Sequence, residues 1–145
     1  MRCIFGRKEH VAQAARLLDW YDSVSVAKKR VIKKMGAREF LVVLMDGRVV
    51  GVLLYARDYS HDANYCEDLI VEESARRKGV GSLLLNKFIE LCRAEQPKKQ
   101  PYAFSSTDVT NVRSIALHEK VGFRNLGIVK KLHYGKDEIF FGYKL

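Results

Sequence analysis

Val71-Glu72-Glu73-Ser74-Ala75-Arg76-Arg77-Lys78-Gly79-Val80-Gly81-Ser82 is the stretch on which the reading of this chain turns. It stands between an apolar run, Tyr65 to Val71, that reads as a strand, and a long stretch with helical periodicity. There Val80, Leu84, Phe88 and Cys92, with Leu85, Ile89 and Leu91 beside them, form an apolar stripe wide enough to be buried against a sheet. A loop in this position turns several backbone N–H groups outward, and the positive end of the following helix macrodipole points the same way, so phosphate would bind there. Gly79 and Gly81 let the backbone approach closely or take positive φ, while Arg76, Arg77 and Lys78 add charge around an anion. Two better-known phosphate loops fit worse. A Walker loop ends in Gly-Lys-Ser/Thr, whereas here the lysine precedes the glycines, and a dinucleotide GxGxxG would need glycine where Leu84 stands. A basic turn hinged on its glycines is the plain structural alternative.

Working outward, Arg2 to Gly6 reads as a short strand. Val11, Ala14, Ala15 and Leu18 follow at amphipathic-helix spacing. A second helix carries Val24, Ala27, Val31 and Met35 on one face, and Gly36 is expected to stop it. Phe40 to Met45 and Val49 to Arg57 are apolar runs joined by Asp46-Gly47, a type I′ hairpin signal. Arg57 to Asn64 is expected to be polar and turn-like. Beyond the long helix, Pro97 and Pro101 bound a loop, Tyr102 to Ser106 reads as a strand, and Asn111 to Val121 reads as a helix closed by Gly122. Two last strands, Arg124 to Lys131 and Glu138 to Leu145, flank a turn at Gly135. The order β-α-α-β-β-β-α-β-α-β-β predicts an α/β fold with a mixed sheet and helices on its faces.

The 145 residues fit one domain, 1–145, and composition narrows its class. With 48% hydrophobic and 30% charged residues, and no apolar run of membrane-spanning length, a globular cytoplasmic protein is expected. Arg2, Arg7 and Lys8 interrupt the N-terminal apolar patch, so it does not read as a secretory signal. Cys3, Cys66 and Cys92 are odd in number and widely spaced, which points to reduced, mostly buried thiols. His10, His61, His118 and His133 form no paired ligand motif, and no metal is expected. The net charge of +9 favours an anionic ligand, either a phosphorylated cofactor or nucleic acid. Lys28, Lys29, Arg30, Lys33 and Lys34 read equally well as a solvated helix face.

The chain resembles the GNAT superfamily of acetyl-CoA-dependent N-acetyltransferases. The family's cofactor motif, roughly V-x-P-x-x-R-G/R-x-G-x-G/A after a strand, is matched by Val71, Arg76, Arg77, Gly79 and Gly81, with Glu73 in place of the usual proline. A second motif, N-x-x-A/S-x-x-L-Y-x-x-x-G-F, is matched by Asn111, Ser114, Leu117, Gly122 and Phe123. The element order follows the family over nearly the whole chain, although the N-terminal third matches only in pattern. The resemblance implies a central mixed sheet of about seven strands with about four flanking helices. It implies that the CoA pyrophosphate lies on the backbone of Arg76, Arg77, Lys78, Gly79, Val80, Gly81 and Ser82, with the pantetheine arm beside the strand ending at Leu69, Ile70 and Val71. Asn111 and Ser114 would contact the cofactor from the next helix; Asn111 also suits a helix N-cap.

The chemistry implied is direct attack of a primary amine on the thioester. An amine of pKa ~10.4 is neutral in only about one molecule in 2,500 at pH 7, so a base must accept its proton. Glu67-Asp68-Leu69-Ile70-Val71 resembles the Glu-Asp strand of diamine and polyamine acetyltransferases, which makes Glu67 the general base and Asp68 its competitor. Backbone N–H groups near Leu69 to Val71 would steady the oxyanion. His118 stands where most relatives have the tyrosine that protonates the leaving thiolate, so it is either the acid or a residue that only hydrogen-bonds the sulfur or fills space.

By the same resemblance the acceptor cleft draws on Trp20, Tyr21, Asp22, Asp68, His133 and Tyr134. The local acidity of Asp58 to Asp68 in a basic protein suggests a cationic amine, small or peptidic, though a solvated loop explains it as well. Two rival readings stand. A nucleic-acid-directed protein would use the positive charge, but no recognition motif accompanies it. A non-catalytic CoA-binding regulatory domain would accommodate the departure at His118. The oligomeric state, a homodimer included, is left open.

Overall fold

The computed structural model describes residues 1–145. Strands β1 (Arg2–Phe5), β2 (Phe40–Met45), β3 (Arg48–Ser60), β4 (Ala63–Val71), β5 (Tyr102–Asp108), β6 (Arg124–His133) and β7 (Lys136–Lys144) form one seven-stranded sheet in the order β1-β2-β3-β4-β5-β7-β6. Helices α1 (Val11–Leu17), α2 (Val24–Gly36), α3 (Val80–Glu95) and α4 (Val112–Val121) complete the mixed α/β fold, with short 3-10 turns at Lys8–His10 and Glu73–Ala75. The expected order of strands and helices is the observed one. The chain divides into two compact units, Met1–Tyr55 with Asp68–Lys87, and Ala56–Glu67 with Phe88–Leu145.

In the first unit, β1 pairs antiparallel with β2, and β2 with β3. Asp46 and Gly47 both take positive φ, 49° and 75°, as a type I′ turn requires. Val11, Ala14, Ala15 and Leu18 from the α1 segment and Ala27 and Val31 from α2 pack with Phe40, Val42, Val52 and Leu54 in one buried cluster. The first turn of α3 lies close on β3. A Cβ placed on Gly51 would come within 2.5 Å of Val80 Cγ1 and 3.1 Å of Leu84 Cδ1, so only glycine lets helix and strand approach this far.

In the second unit, β5 pairs antiparallel with β7, and β7 with β6. The parallel ladder between β4 and β5 is short, Tyr65 opposite Phe104 and Cys66 opposite Ser105. Along β5 burial alternates, with Ala103, Ser105 and Thr107 inside. Asn111 caps α4 through its side chain, which accepts from the Ser114 N–H, and Gly122 ends the helix at φ 111°. β6 is the sheet edge and is exposed throughout, including Leu126, Ile128, Val129 and Leu132.

Three local expectations need correction. Gly36 does not supply the left-handed stop of α2; it lies in the last helical turn, Ala37 is the αR cap, and Arg38 takes the positive φ of 56°. The Arg57 to Asn64 stretch is not a long loop. β3 runs on to Ser60, and a two-residue turn, His61 and Asp62 at φ 53° and 65°, leads straight into β4. Polar side chains had masked an extended backbone, since period-2 reading looks for apolar residues on one face. Lys34 does not solvate a helix face: it is 5% exposed, and its Nζ donates to the Tyr55 carbonyl at 2.6 Å and to Glu39 Oε2 at 3.1 Å. Lys28, Lys29 and Lys33 are exposed as expected.

Candidate active site

The loop from Glu72 to Ser82 lies wholly in the first unit. The Glu72 N–H donates to the Val50 carbonyl at 2.8 Å, fixing the strand end, and Arg48 pairs with the Glu72 carboxylate at 3.4 Å. Arg76 Nε reaches back to the Val71 carbonyl at 3.4 Å. Arg77 and Gly79 then take left-handed φ of 60° and 83°, while Arg77, Lys78 and Gly79 are exposed. Left-handed residues interspersed along a turn make successive N–H groups converge, the geometry of an anion-binding concavity. The first hydrogen bond of α3 runs from Leu83 N–H to the Gly79 carbonyl at 2.9 Å. The N–H groups of Val80, Gly81 and Ser82 therefore precede it and have no acceptor within the helix. Space beside Gly79 is open, since a Cβ there would meet nothing within 4 Å. Backbone donors, a helix N-terminus and two exposed cations thus coincide, and the residues present suit a diphosphate.

Three of the expected acceptor residues meet in the same unit. Both oxygens of Asp68 are occupied: Tyr21 Oη donates to Oδ2 at 2.7 Å and Trp20 Nε1 to Oδ1 at 3.1 Å. Burial and the neighbouring Asp68 carboxylate raise the Tyr21 phenol well above the usual tyrosine range. Trp20 remains 49% exposed. Asp22 is exposed, and Tyr134, 96% exposed, stands at the tip of the β6–β7 turn in the second unit. Leu69, Ile70 and Val71 are half-buried at the end of β4, and Glu67 is half-buried two residues along from Tyr65.

His118 is 2% exposed. Its ring stacks on Phe141 at 4.7 Å and meets Phe123 edge-on at 5.2 Å. Nδ1 lies 2.7 Å from the Ser114 carbonyl, which can only accept, so Nδ1 carries the ring proton. Nε2 is then the acceptor for the Ser105 hydroxyl at 2.8 Å. Burial lowers its pKa below the ordinary histidine value, outweighing the Ser114 hydrogen bond. This is a neutral imidazole with both nitrogens engaged inside the protein.

Two polar residues that sequence reasoning passed over lie on the opposite side of the same strands. Ser106 Oγ donates to Glu138 Oε1 at 2.8 Å, and Tyr65 Oη is hydrogen-bonded to Ser106 Oγ. Strand alternation through Tyr102 to Asp108 could have set Ser106 apart from buried Ser105, but nothing in the sequence pairs β4 with β5 and β7.

A family model, that of the acetyltransferase (GNAT) family, matches residues 10–123. The chain belongs to the GNAT acetyltransferase family. Acetyl-CoA is that family's acyl donor. An uncharacterized protein of Bacillus subtilis (strain 168), YxbD, is 33% identical over 79 residues, which cover 54% of this chain and 45% of that protein. The match thus spans about half the length of this curated relative. A GNAT acetyltransferase of Bacillus cereus ATCC 10987 superposes with a TM-score of 0.83 at 23% identity, covering 99% of this chain and 96% of that one. Ribosomal-protein-alanine N-acetyltransferase of Brucella melitensis gives 0.81 at 22% identity with 100% of both chains covered. The Salmonella typhimurium protein yncA, solved with its cofactor acetyl-CoA, gives 0.81 at 21% identity, covering 99% of this chain and 92% of that one. At these identities the likeness is one of fold. No helix of the chain is long and apolar enough to cross a membrane.

Proposed function

We propose that this GNAT protein is an N-acetyltransferase that moves an acetyl group from acetyl-CoA to a primary amine. The observation that carries the reading is the loop Arg76 to Ser82, where left-handed Arg77 and Gly79 and the unbonded N–H groups of Val80, Gly81 and Ser82 make a concave donor surface. That backbone, with Arg76, Arg77 and Lys78, binds the diphosphate of CoA. Asn111 and Ser114 approach the cofactor from the start of α4, Asn111 serving also as its cap. Bound acetyl-CoA supplies the activated acyl group as a thioester. Glu67 accepts a proton from the incoming ammonium, and backbone N–H groups near Leu69 to Val71 donate to the carbonyl oxygen as it gains charge.

Asp68 is the weaker candidate for the base, because Trp20 and Tyr21 already donate to both of its oxygens. It serves better as the fixed anchor of an acceptor wall made with Trp20, Tyr21 and Asp22, with Tyr134 as a further acceptor-binding residue. His118 acts as a packing residue rather than the acid, since its single ring proton is committed to the Ser114 carbonyl. A ribosomal-protein-alanine N-acetyltransferase shares the fold, and on that likeness we include peptide α-amines with small amines among the acceptors to try. The deciding experiment measures free CoA released from acetyl-CoA with a panel of amines and peptides. Turnover that falls about 10²-fold or more in Glu67→Gln supports the reading. Acetyl-CoA binding without turnover of any amine would favour a regulatory CoA-binding domain, and absence of binding would refute both.

A further inference from the structure

Glu138 poses a problem that the cofactor loop does not answer. It is 8% exposed, on a strand, and its one side-chain hydrogen bond comes from Ser106. Directly across the ladder stands a second carboxylate, Asp108, whose neighbouring cation is Lys136 at 3.8 Å. Two carboxylates facing one another across a strand pair are unfavourable, and a buried carboxylate with no cation costs more still.

The hydrogen bonds have a direction. Ser106 has one hydroxyl proton, and it goes to Glu138 Oε1. Tyr65 must therefore be the donor in the Tyr65–Ser106 contact. The chain runs from the Tyr65 phenol through the Ser106 hydroxyl to the Glu138 carboxylate, and it leaves Tyr65 Oη with a lone pair that can still accept. The Tyr65 ring is held by Tyr59, stacked at 4.6 Å and 22°, and by Phe140 at 6.5 Å. Burial pushes the Tyr65 phenol up to about 12, so it stays protonated and can both give and take a proton. Tyr65 also occupies one of the two residue pairs of the β4–β5 ladder, on the strand beside which the pantetheine arm is expected to run.

We propose that Tyr65, acting with Ser106 and Glu138 behind it, removes the second proton from the acceptor nitrogen. An alkylammonium begins with three N–H bonds and ends as an amide with one, so two protons have to leave. Glu67 takes the first, freeing the lone pair for attack. As the C–N bond forms and the C–S bond breaks, the second proton passes to Tyr65 Oη, the Tyr65 proton to Ser106 Oγ, and the Ser106 proton to Glu138. The C–S electron pair departs with sulfur, and the thiolate, with a reference thiol pKa of ~8.5, takes its proton from solvent. Glu67 and Glu138 each return one proton to solvent, so the sum is ammonium plus thioester giving amide, thiol and one proton. Tyr65 is the catalytic residue of this relay, and Ser106 and Glu138 work through it.

The inference rests on the acetyltransferase reading, and one set of assays separates the two. Free CoA release from acetyl-CoA is measured with propylamine, 1,4-diaminobutane and an alanyl peptide for the wild type, Tyr65→Phe, Ser106→Ala, Glu138→Gln and the Ser106→Ala/Glu138→Gln double variant. Each single variant should lower kcat about 10- to 100-fold and leave the amine KM within about threefold. The double variant should be no slower than the worse single one, because both cut the same chain. The dependence of kcat on deuterium fraction should be curved in the wild type, where several protons move together, and linear in Tyr65→Phe. Wild-type turnover with an unaffected Tyr65→Phe, or losses that multiply, would overturn the relay alone. Tyr65→Phe keeps the aromatic stack and decides the matter if the Ser106 or Glu138 variants do not fold. A wild-type protein that releases no CoA with any of the three amines would overturn the acetyltransferase reading and the relay with it.

Discussion

His118 shows how one residue's environment can redirect what its position suggests. At the family's tyrosine position it invites the role of acid, yet its proton points at the Ser114 carbonyl and its free lone pair receives Ser105. An acid at pH 7 needs a proton to spare, and burial lowers the pKa of this ring. The consequence for stability has a definite sign. The unfolded chain binds a proton at His118 near its reference pKa of about 6.5, whereas the folded protein resists protonation until lower pH. The stabilisation is therefore fully present above about pH 6.5 and is lost as the pH falls towards the depressed folded value. NMR titration of the His118 ring should place its midpoint below the reference value of about 6.5; a midpoint at or above that value would contradict the packing role. His118→Phe should leave the rate of acetyl transfer nearly unchanged while lowering stability by about 1–3 kcal/mol, because Ser105 and the Ser114 carbonyl lose a buried partner. Denaturant unfolding alongside the CoA-release assay measures both.

At the scale of elements, glycines carry much of what the proposed cofactor loop needs. Gly79 sits at φ 83° with open space around its missing Cβ, so Gly79→Ala should meet a backbone penalty of about 1–2 kcal/mol and no clash. Stability should fall modestly and acetyl-CoA affinity with it, because relieving the strain turns N–H groups away from their common focus. Gly51 is the opposite case. A methyl there would collide with Val80, so Gly51→Ala should push the first turn of α3 off β3 and cost about 1–3 kcal/mol through overpacking. Denaturant midpoints of the two variants, compared with their acetyl-CoA affinities by calorimetry, test both statements. Such elements were legible in the sequence wherever apolar period and turn chemistry agreed, as at Asp46-Gly47 and in the long stripe of α3. They were illegible where a strand is polar, as in β3 from Asp58 to Ser60, and where a charged side chain turns inward, as at Lys34. Lys34 is buried because the Tyr55 carbonyl and Glu39 receive its ammonium, and that pairing exists only once β2 and β3 have formed.

At the scale of the whole molecule, the order of elements along the chain was legible in the sequence, but the sheet order β1-β2-β3-β4-β5-β7-β6 was not, since periodicity does not say that β7 inserts between β5 and β6. That insertion sets Phe141 under His118 on one face and Glu138 behind Ser106 on the other. It explains why the loop could be read from sequence while the relay could not: the loop is contiguous, and the relay gathers one residue from each of three strands. The net charge of +9 acts over the whole surface and should make binding of the anionic cofactor salt-sensitive. Acetyl-CoA affinity should weaken on going from about 0.05 M to about 0.5 M salt, where the screening length contracts from over 10 Å to a few ångströms. Titration of isotopically labelled protein with acetyl-CoA, followed amide by amide, tests the central claim most directly. The account predicts that the largest shifts fall on the N–H groups of Arg77 to Ser82, with those of Val80, Gly81 and Ser82 moving as expected for donors that gain an acceptor. Saturable binding that left these amides unmoved, or no binding at all, would contradict it.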